Sequence, residues 1–287
     1  MAFTKLGVVL PLGDTGEFDS EYTYHPCAVL RDGKTWLYYT GGGGGWSTVG
    51  LAVSDDGIHF TRLGMVVPSG LDGEIDYWET YAPAALFRDW KTWIYYTARL
   101  SNRRHIALAV SDDGIHFTKL GVVIPLGASG DFDDVRVEYP TVIIRDGKVW
   151  LYYIGNDGSK YRLGLAVSDD GIHFTKLGVV LPLGSSGELD DARIGYPSAI
   201  LRDGKTWLYY SAFDGNNYRI GLAVSDDGIH FTRLGVALPL GGSGEWDENG
   251  TQMPGVILRD GKAWLYYVGY GSDYNERIGL AVSDMGL

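Results

Sequence analysis

The chain has 287 residues, of which 45% are hydrophobic, enough to bury a large core, and its formal charge of −12 comes from 36 acidic against 24 basic side chains. One cysteine, Cys27, excludes an internal disulfide framework. The acidic balance without a basic stripe argues against nucleic acid, and no apolar stretch reaches the length of a membrane span. Residues 1–10 lack the basic segment, apolar core and cleavage site of a leader, so a soluble protein is expected, cytoplasmic or shown without its leader.

The phrase Phe-Thr-Lys/Arg-Leu-Gly begins at Phe3 and returns at Phe60, Phe117, Phe174 and Phe231, always 57 residues on. Five such copies account for nearly the whole chain, and a fixed period of this kind marks a solenoid or a propeller. Within the first copy, Tyr24 to Leu30 is an apolar run beside Pro26. Asp32-Gly33 turns it into a second run, Thr35 to Thr40. A loop leads to Val49 to Ser54, and Asp56-Gly57 turns that run into Ile58 to Leu63. Asp-Gly between β-branched and aromatic runs is a strong hairpin signal, and no window keeps a helical period. The sequence therefore predicts an all-β, five-bladed β-propeller with four antiparallel strands per blade, read as one domain over residues 1–287.

The ends predict how the ring closes. The chain opens inside the motif that elsewhere forms a fourth strand, and the fifth copy stops at Leu287 before its own. Residues 1–9 are expected to complete the blade formed by residues 252–284, removing two free edges. One turn breaks the pattern. Trp90 stands where the other copies have Gly33, Gly147, Gly204 and Gly261, and a locally different turn or a special contact is expected there.

Overlaying the copies separates scaffold from function. Positions 28–39 and 50–63 barely change, whereas residues 20–27 and 41–49 and their equivalents diverge. In a four-stranded blade those two connections share one face, around the mouth of the central channel, and loops on a rigid scaffold carry function. Ten of the twenty tyrosines belong to repeated Tyr-Tyr pairs such as Tyr38-Tyr39. The other ten fall in the diverged windows, joined by Trp46 and Trp78. Rigid amphipathic rings beside carboxylates suit a sugar, although inward tyrosines can also simply fill a channel. The substrate-binding candidates are His25, Trp46, Trp78, Tyr81, Arg136, Tyr139, Arg193, Tyr196 and Glu248. His59, His116, His173 and His230 sit in the repeated SDDGIHF and read as structural. His25 and His105 have no partner at metal-ligand spacing. A Cys27–His25 nucleophile pair is set aside, because a lone buried cysteine is usually inert.

The unit WLYYTG…GLAVSDDGIHFTKLG, with GEFD before the inner strand and a proline at its start, resembles the five-bladed propeller glycosidases, the arabinanase, invertase and levansucrase-like enzymes. SDDGIHF is also similar to the Asp-box of sialidases but one residue shorter, and reads as a turn clamp. The resemblance implies three carboxylates on successive inner strands: two aspartates before the strand proline and a glutamate two residues before it in the third blade. Glu138-Tyr139-Pro140 matches the glutamate, which implies an acid role for Glu138. His25 and Ala82 stand where the aspartates would be, and Glu79 and Glu21 are the available substitutes in the same windows.

Three functions follow from these residues: a glycoside hydrolase-like protein with one composite site at the channel mouth, a lectin-like glycan binder, and an amplified or idealised scaffold without a ligand. A multivalent lectin would repeat its binding residues, yet the strand starts read HPC, APA, YPT, YPS and MPG. That asymmetry favours one composite site. A small-molecule or oligosaccharide ligand and a monomer are expected, with neither metal nor cofactor.

Overall fold

Alternation of polar and apolar residues, punctuated by Asp-Gly, folds each copy into consecutive hairpins. In the computed structural model, which describes residues 2–284, the first blade is β2 (Tyr22–Arg31), β3 (Lys34–Gly43), β4 (Trp46–Ser54) and β5 (Thr61–Val67). The second is β6 (Glu79–Arg88), β7 (Lys91–Leu100), β8 (Arg103–Ser111) and β9 (Thr118–Ile124). The third is β10 (Arg136–Arg145), β11 (Lys148–Asn156), β12 (Tyr161–Ser168) and β13 (Thr175–Leu181). The fourth is β14 (Arg193–Arg202), β15 (Lys205–Phe213), β16 (Tyr218–Ser225) and β17 (Thr232–Leu238). The fifth joins β18 (Gly250–Arg259), β19 (Lys262–Tyr270) and β20 (Arg277–Asp284) to β1 (Thr4–Leu10) from the other end of the chain. The inner strands β2, β6, β10, β14 and β18 neighbour one another in turn, and β18 packs back on β2. The five-bladed β-propeller read from the repeat is the fold of this chain.

The ring closes as the repeat predicts. Thr4 pairs opposite Val282 and Leu10 opposite Ile278 in an antiparallel ladder, and Lys5 Nζ lies 2.7 Å from the buried Asp247 carboxylate. The expectation placed on Leu287 lies outside the described residues.

The repeated Tyr-Tyr pairs lock the scaffold. Tyr38 donates its hydroxyl to the Gly114 carbonyl of the next blade at 2.9 Å, and Tyr266 does the same to Gly57 across the ring closure. Tyr39 donates to Asp19 at 2.7 Å, and Arg62 Nε donates to the same oxygen at 2.8 Å. In four of the pairs one ring thus ties blades together through its hydroxyl, while the other ring, as in Tyr39, holds the loop before the inner strand. Each apolar cluster lies between two sheets, as where Leu163 and Leu181 of the third blade meet Ile194 and Leu208 of the fourth.

Two local expectations are corrected. The fourth strand begins at Thr61 rather than Ile58. The Asp56 carboxylate accepts the N–H groups of Ile58 and His59 at 2.8 and 2.9 Å and the Ser54 hydroxyl at 2.9 Å, so these residues form the clamp and cannot join a ladder. The Trp90 turn is not locally different. Asp89 and Trp90 have φ of 53° and 62°, the geometry of Asp32 and Gly33 at 52° and 75°. Trp90 is 86% exposed and packs on nothing that explains it; the flanking strand pairing imposes the turn on a residue ill suited to it.

Candidate functional site at the channel mouth

The site begins with a kink repeated five times. His25, Ala82, Tyr139, Tyr196 and Met253, each directly before a proline, have φ between 47° and 56°. The left-handed region is costly for residues with a side chain, and a following proline restricts the backbone further. At each kink the inner-strand register jumps, as between Tyr24 and Cys27 or Glu138 and Thr141. Neighbouring blades brace three of the kinks. Thr40 Oγ1 accepts the Ala82 N–H at 2.9 Å, Thr97 Oγ1 that of Tyr139 at 3.0 Å, and Ser211 Oγ that of Met253 at 2.8 Å.

The kinks turn side chains onto the propeller axis. The rings of His25, Tyr139 and Tyr196, from blades one, three and four, form a triangle with centroid separations of 5.5, 5.3 and 4.4 Å. Below it lies a cavity of about 410 Å³, walled by the inner strands and reaching the Asp-Gly turn face at Leu30 and Phe87. The triangle therefore floors the mouth and caps the channel. Burial lowers the His25 pKa to about 3, so the ring is neutral. Its Nδ1 lies 3.1 Å from Thr40 Oγ1, while Nε2 is buried without a partner. Cys27 points elsewhere: its sulfur accepts the Ala85 N–H at 3.0 Å, and burial pushes its thiol up to about 11, which leaves no thiolate at neutral pH.

Above this floor stands Glu138, 1% exposed. Its Oε2 accepts the Tyr81 hydroxyl at 3.2 Å and lies 3.2 Å from Arg104 Nε, which also donates to the Tyr81 oxygen at 2.9 Å. Its Oε1 is buried without a partner. Burial raises the Glu138 pKa above the ordinary carboxylate value, against the opposing pull of Arg104, Arg136, Tyr81 and Arg193. A carboxyl of this kind can carry a proton at a pH where exposed carboxyls have lost theirs.

The structure gathers Glu138, Tyr81, Arg136, Tyr139, Arg193, Tyr196 and His25 into this one region. Glu79 joins at the edge, where Oε1 accepts the Ser47 hydroxyl at 2.9 Å and Oε2 pairs with Arg99 at 2.5 Å; it is near enough to act on Tyr81. Trp78 lies under the Arg99 guanidinium, 5.3 Å from its carbon. Three candidates stand apart. Glu21 is exposed and accepts the Gly44 N–H at 3.1 Å. Glu248 accepts the Gly244 N–H of its own loop at 2.6 Å, as Asp191 does from Gly187. Trp46 faces a separate recess of about 370 Å³ beside Met65 and Tyr77, which no inner-strand residue lines.

Two residues escaped the sequence reading. Arg104 holds Glu138 from the neighbouring blade. Glu276 is partly buried, accepts the Gln252 amide at 2.8 Å and the Tyr24 hydroxyl, and has a pKa raised by burial. They occupy one position of the repeat, filled by Ser47, Tyr161 and Tyr218 in the other blades, inside the window that diverges. The single-residue insertion ahead of Ile278 displaces Glu276 from the register of the other copies. Among the described residues no group of three or more His, Cys, Asp or Glu could hold a metal ion.

A propeller of five four-stranded blades is the architecture of a large class of glycoside hydrolases, and the chain has that glycoside hydrolase-like fold. Over residues 16–189 it matches the glycosyl hydrolases family 32 N-terminal domain, and it belongs to that family. Among solved structures it resembles a glycosyl hydrolase from Bacteroides ovatus, at 22% identity and a TM-score of 0.79 over 99% of this chain and 94% of that one. It also resembles the family 117 glycoside hydrolase Zg3597 from Zobellia galactanivorans, at 19% identity and a TM-score of 0.75, covering 99% and 90%. A further likeness, at 22% identity and a TM-score of 0.79 over 99% and 94%, is to a member of the GH130 family of mannoside phosphorylases, described as containing glycoside hydrolases that target beta-1,2 mannosidic linkages in Candida mannan. At these identities the likenesses show the fold. Two uncharacterized Mycobacterium tuberculosis proteins, MT1551 and Rv1502, are each 28% identical over 185 residues, 62% of this chain. The match spans 60% of the length of these relatives.

Proposed function

We propose that this chain acts on a carbohydrate at one composite site in the channel mouth, with Glu138 as the proton donor to a glycosidic oxygen. The observation that carries the reading is the Glu138 carboxyl itself: buried, raised in pKa, held at one oxygen by Tyr81 and Arg104 and without a partner at the other. A glycosidase acid needs those properties, and the family supplies the expectation of sugar chemistry. Glycosidic hydrolysis normally uses a second carboxyl group. Glu79, paired with Arg99 at 2.5 Å, is the candidate; Glu276, bonded to neutral donors, suits substrate contact. His25, Tyr139 and Tyr196 provide an aromatic floor, their rings tilted by 26° to 59° to one another, for a sugar face. The solved neighbour whose family is described as acting on mannosides supports an oligosaccharide as the ligand class.

A second reading, a single-site sugar binder descended from such enzymes, is favoured by His25 and Ala82 standing where the resemblance implies aspartates. One experiment separates them: a panel of aryl glycosides and oligosaccharides assayed with the native chain and with Glu138→Gln. The enzyme reading expects turnover that falls by orders of magnitude in the variant while binding persists. A native chain that binds sugars and turns over none leaves the binder.

A further inference from the structure

Arg136 and Arg193 occupy the same position in neighbouring inner strands, β10 and β14, and both face the mouth. The other described arginines, the exposed Arg103 aside, each have a carboxylate ion-pair partner. Arg136 and Arg193 have none among the described residues. Their polar contacts are to phenols: Arg136 Nη1 donates to the Tyr161 hydroxyl at 3.2 Å, and Arg193 Nη1 to that of Tyr218 at 3.5 Å. The Arg193 guanidinium also lies over the Tyr161 ring, 4.3 Å from its centroid. The Nε atoms of both arginines are buried without a hydrogen-bond partner.

The scaffold opens space beside them. At the inner-strand position held by Tyr24, Tyr81, Glu138 and Gln252 in the other blades, the fourth blade has Gly195, two residues from Arg193. A Cβ built at Gly195 would meet nothing within 4 Å, and its backbone does not need glycine, since its φ is not positive. Glu138, on which both arginines act, is already engaged by Arg104. In a chain of charge −12, this quarter of the mouth holds two cations with no ion-pair partner among the described residues, next to a gap. Buried guanidinium donors left unpaired are costly unless a ligand completes them, and the guanidinium fork matches a carboxylate.

We infer that Arg136 and Arg193 form an anionic subsite, in the space left by Gly195, for the carboxylate of a uronic acid residue. This deepens the sugar-acting reading and rests on it. The carboxylate would take the unpartnered donors while the pyranose ring lies over Tyr139 and Tyr196, near Glu138. The expected ligand is thus an acidic rather than a neutral sugar.

The test is calorimetric binding, read without turnover, of glucuronic and galacturonic acids, their methyl esters, glucose, galactose and inorganic phosphate to the full chain. The acids should bind at least roughly tenfold more tightly than the esters and neutral sugars, with affinity falling as salt rises. Arg136→Gln and Arg193→Gln should each erase that preference while circular dichroism and melting confirm the fold, and Arg193→Lys should keep part of it. Equal binding of acid and ester, or a preference that survives both glutamine changes together, would overturn the subsite. Phosphate binding more tightly than the uronates would overturn the sugar assignment. Discrimination in a chain that cleaves no glycoside would end the catalytic reading and leave the subsite standing; cleavage of neutral glycosides without discrimination would do the reverse.

Discussion

Arg104 on the second blade reaches Glu138 on the third, with 3.2 Å between Nε and Oε2, and Tyr81 bridges both. The Glu138 carboxyl of one repeat is therefore held by the repeat before it. Two effects oppose each other at this carboxyl. Burial favours the neutral form and wins; the guanidinium favours the anion and limits the rise.

The pH dependence follows from that balance. A proton donor works only while protonated, and the folded pKa of Glu138 is raised, so kcat/KM should persist above the ordinary carboxylate range and fall as pH rises through the folded pKa. Arg104→Gln removes the largest opposing cause and should move this alkaline limb to higher pH. A pH–rate profile checks it; an unmoved limb would show that another group sets it.

Arg104→Gln should also cost stability in a pH-dependent way. Glu138 contributes its full stability below its unfolded pKa and loses it as pH rises through the folded value. Without its cation the buried anion is unpaired, so the deficit should grow to about 3 kcal/mol toward neutral pH and shrink in acid. Denaturant titrations at two pH values measure both ends.

Removing residues 1–9 deletes β1, the ladder to β20 and the Lys5–Asp247 pair. The buried Val9 and Leu10 alone correspond to several kcal/mol by transfer, roughly 2 kcal/mol per side chain. A clear drop in Tm is expected, and an unchanged Tm would refute closure through the N-terminal strand.

Trp90→Gly should be neutral or stabilising by about 1 kcal/mol, because glycine accepts φ of 62° without strain and the exposed indole packs little. Thermal melting decides it, and a loss of stability would reveal a contact made by the indole.

Tyr38→Phe should cost about 1–2 kcal/mol, leaving the Gly114 carbonyl at the blade interface without its donor. Tyr39→Phe should cost a similar amount through Asp19, whose oxygen keeps Arg62. A double change that costs as little as either single one would mean that the two rings do not act on separate joints.

The scaffold was legible because each element carries a local signal. Asp32-Gly33 predicts a turn, alternation predicts a strand, and the 57-residue spacing of Phe3 and Phe60 counts the blades. The strand that starts at Thr61 was misread because Ile58 looks like strand yet has its N–H bonded to Asp56. The site was less legible. Glu138 could be found from its proline, but Arg104 could not be assigned to it, since their meeting depends on how two blades lie against each other. Glu21 and Glu248 resemble mouth carboxylates in spacing alone; backbone N–H groups of loops claim both, and no periodicity encodes that.

The closure of the fifth blade has a consequence for how the protein is made. Thr4 is synthesised long before Val282, so β1 waits through the synthesis of four blades for its partner. Until then, Val9 and Leu10 lack the cover that the finished ring gives them. β1 is thus made before the strands it pairs with and folded after them, and misassembly during synthesis should concentrate at that seam.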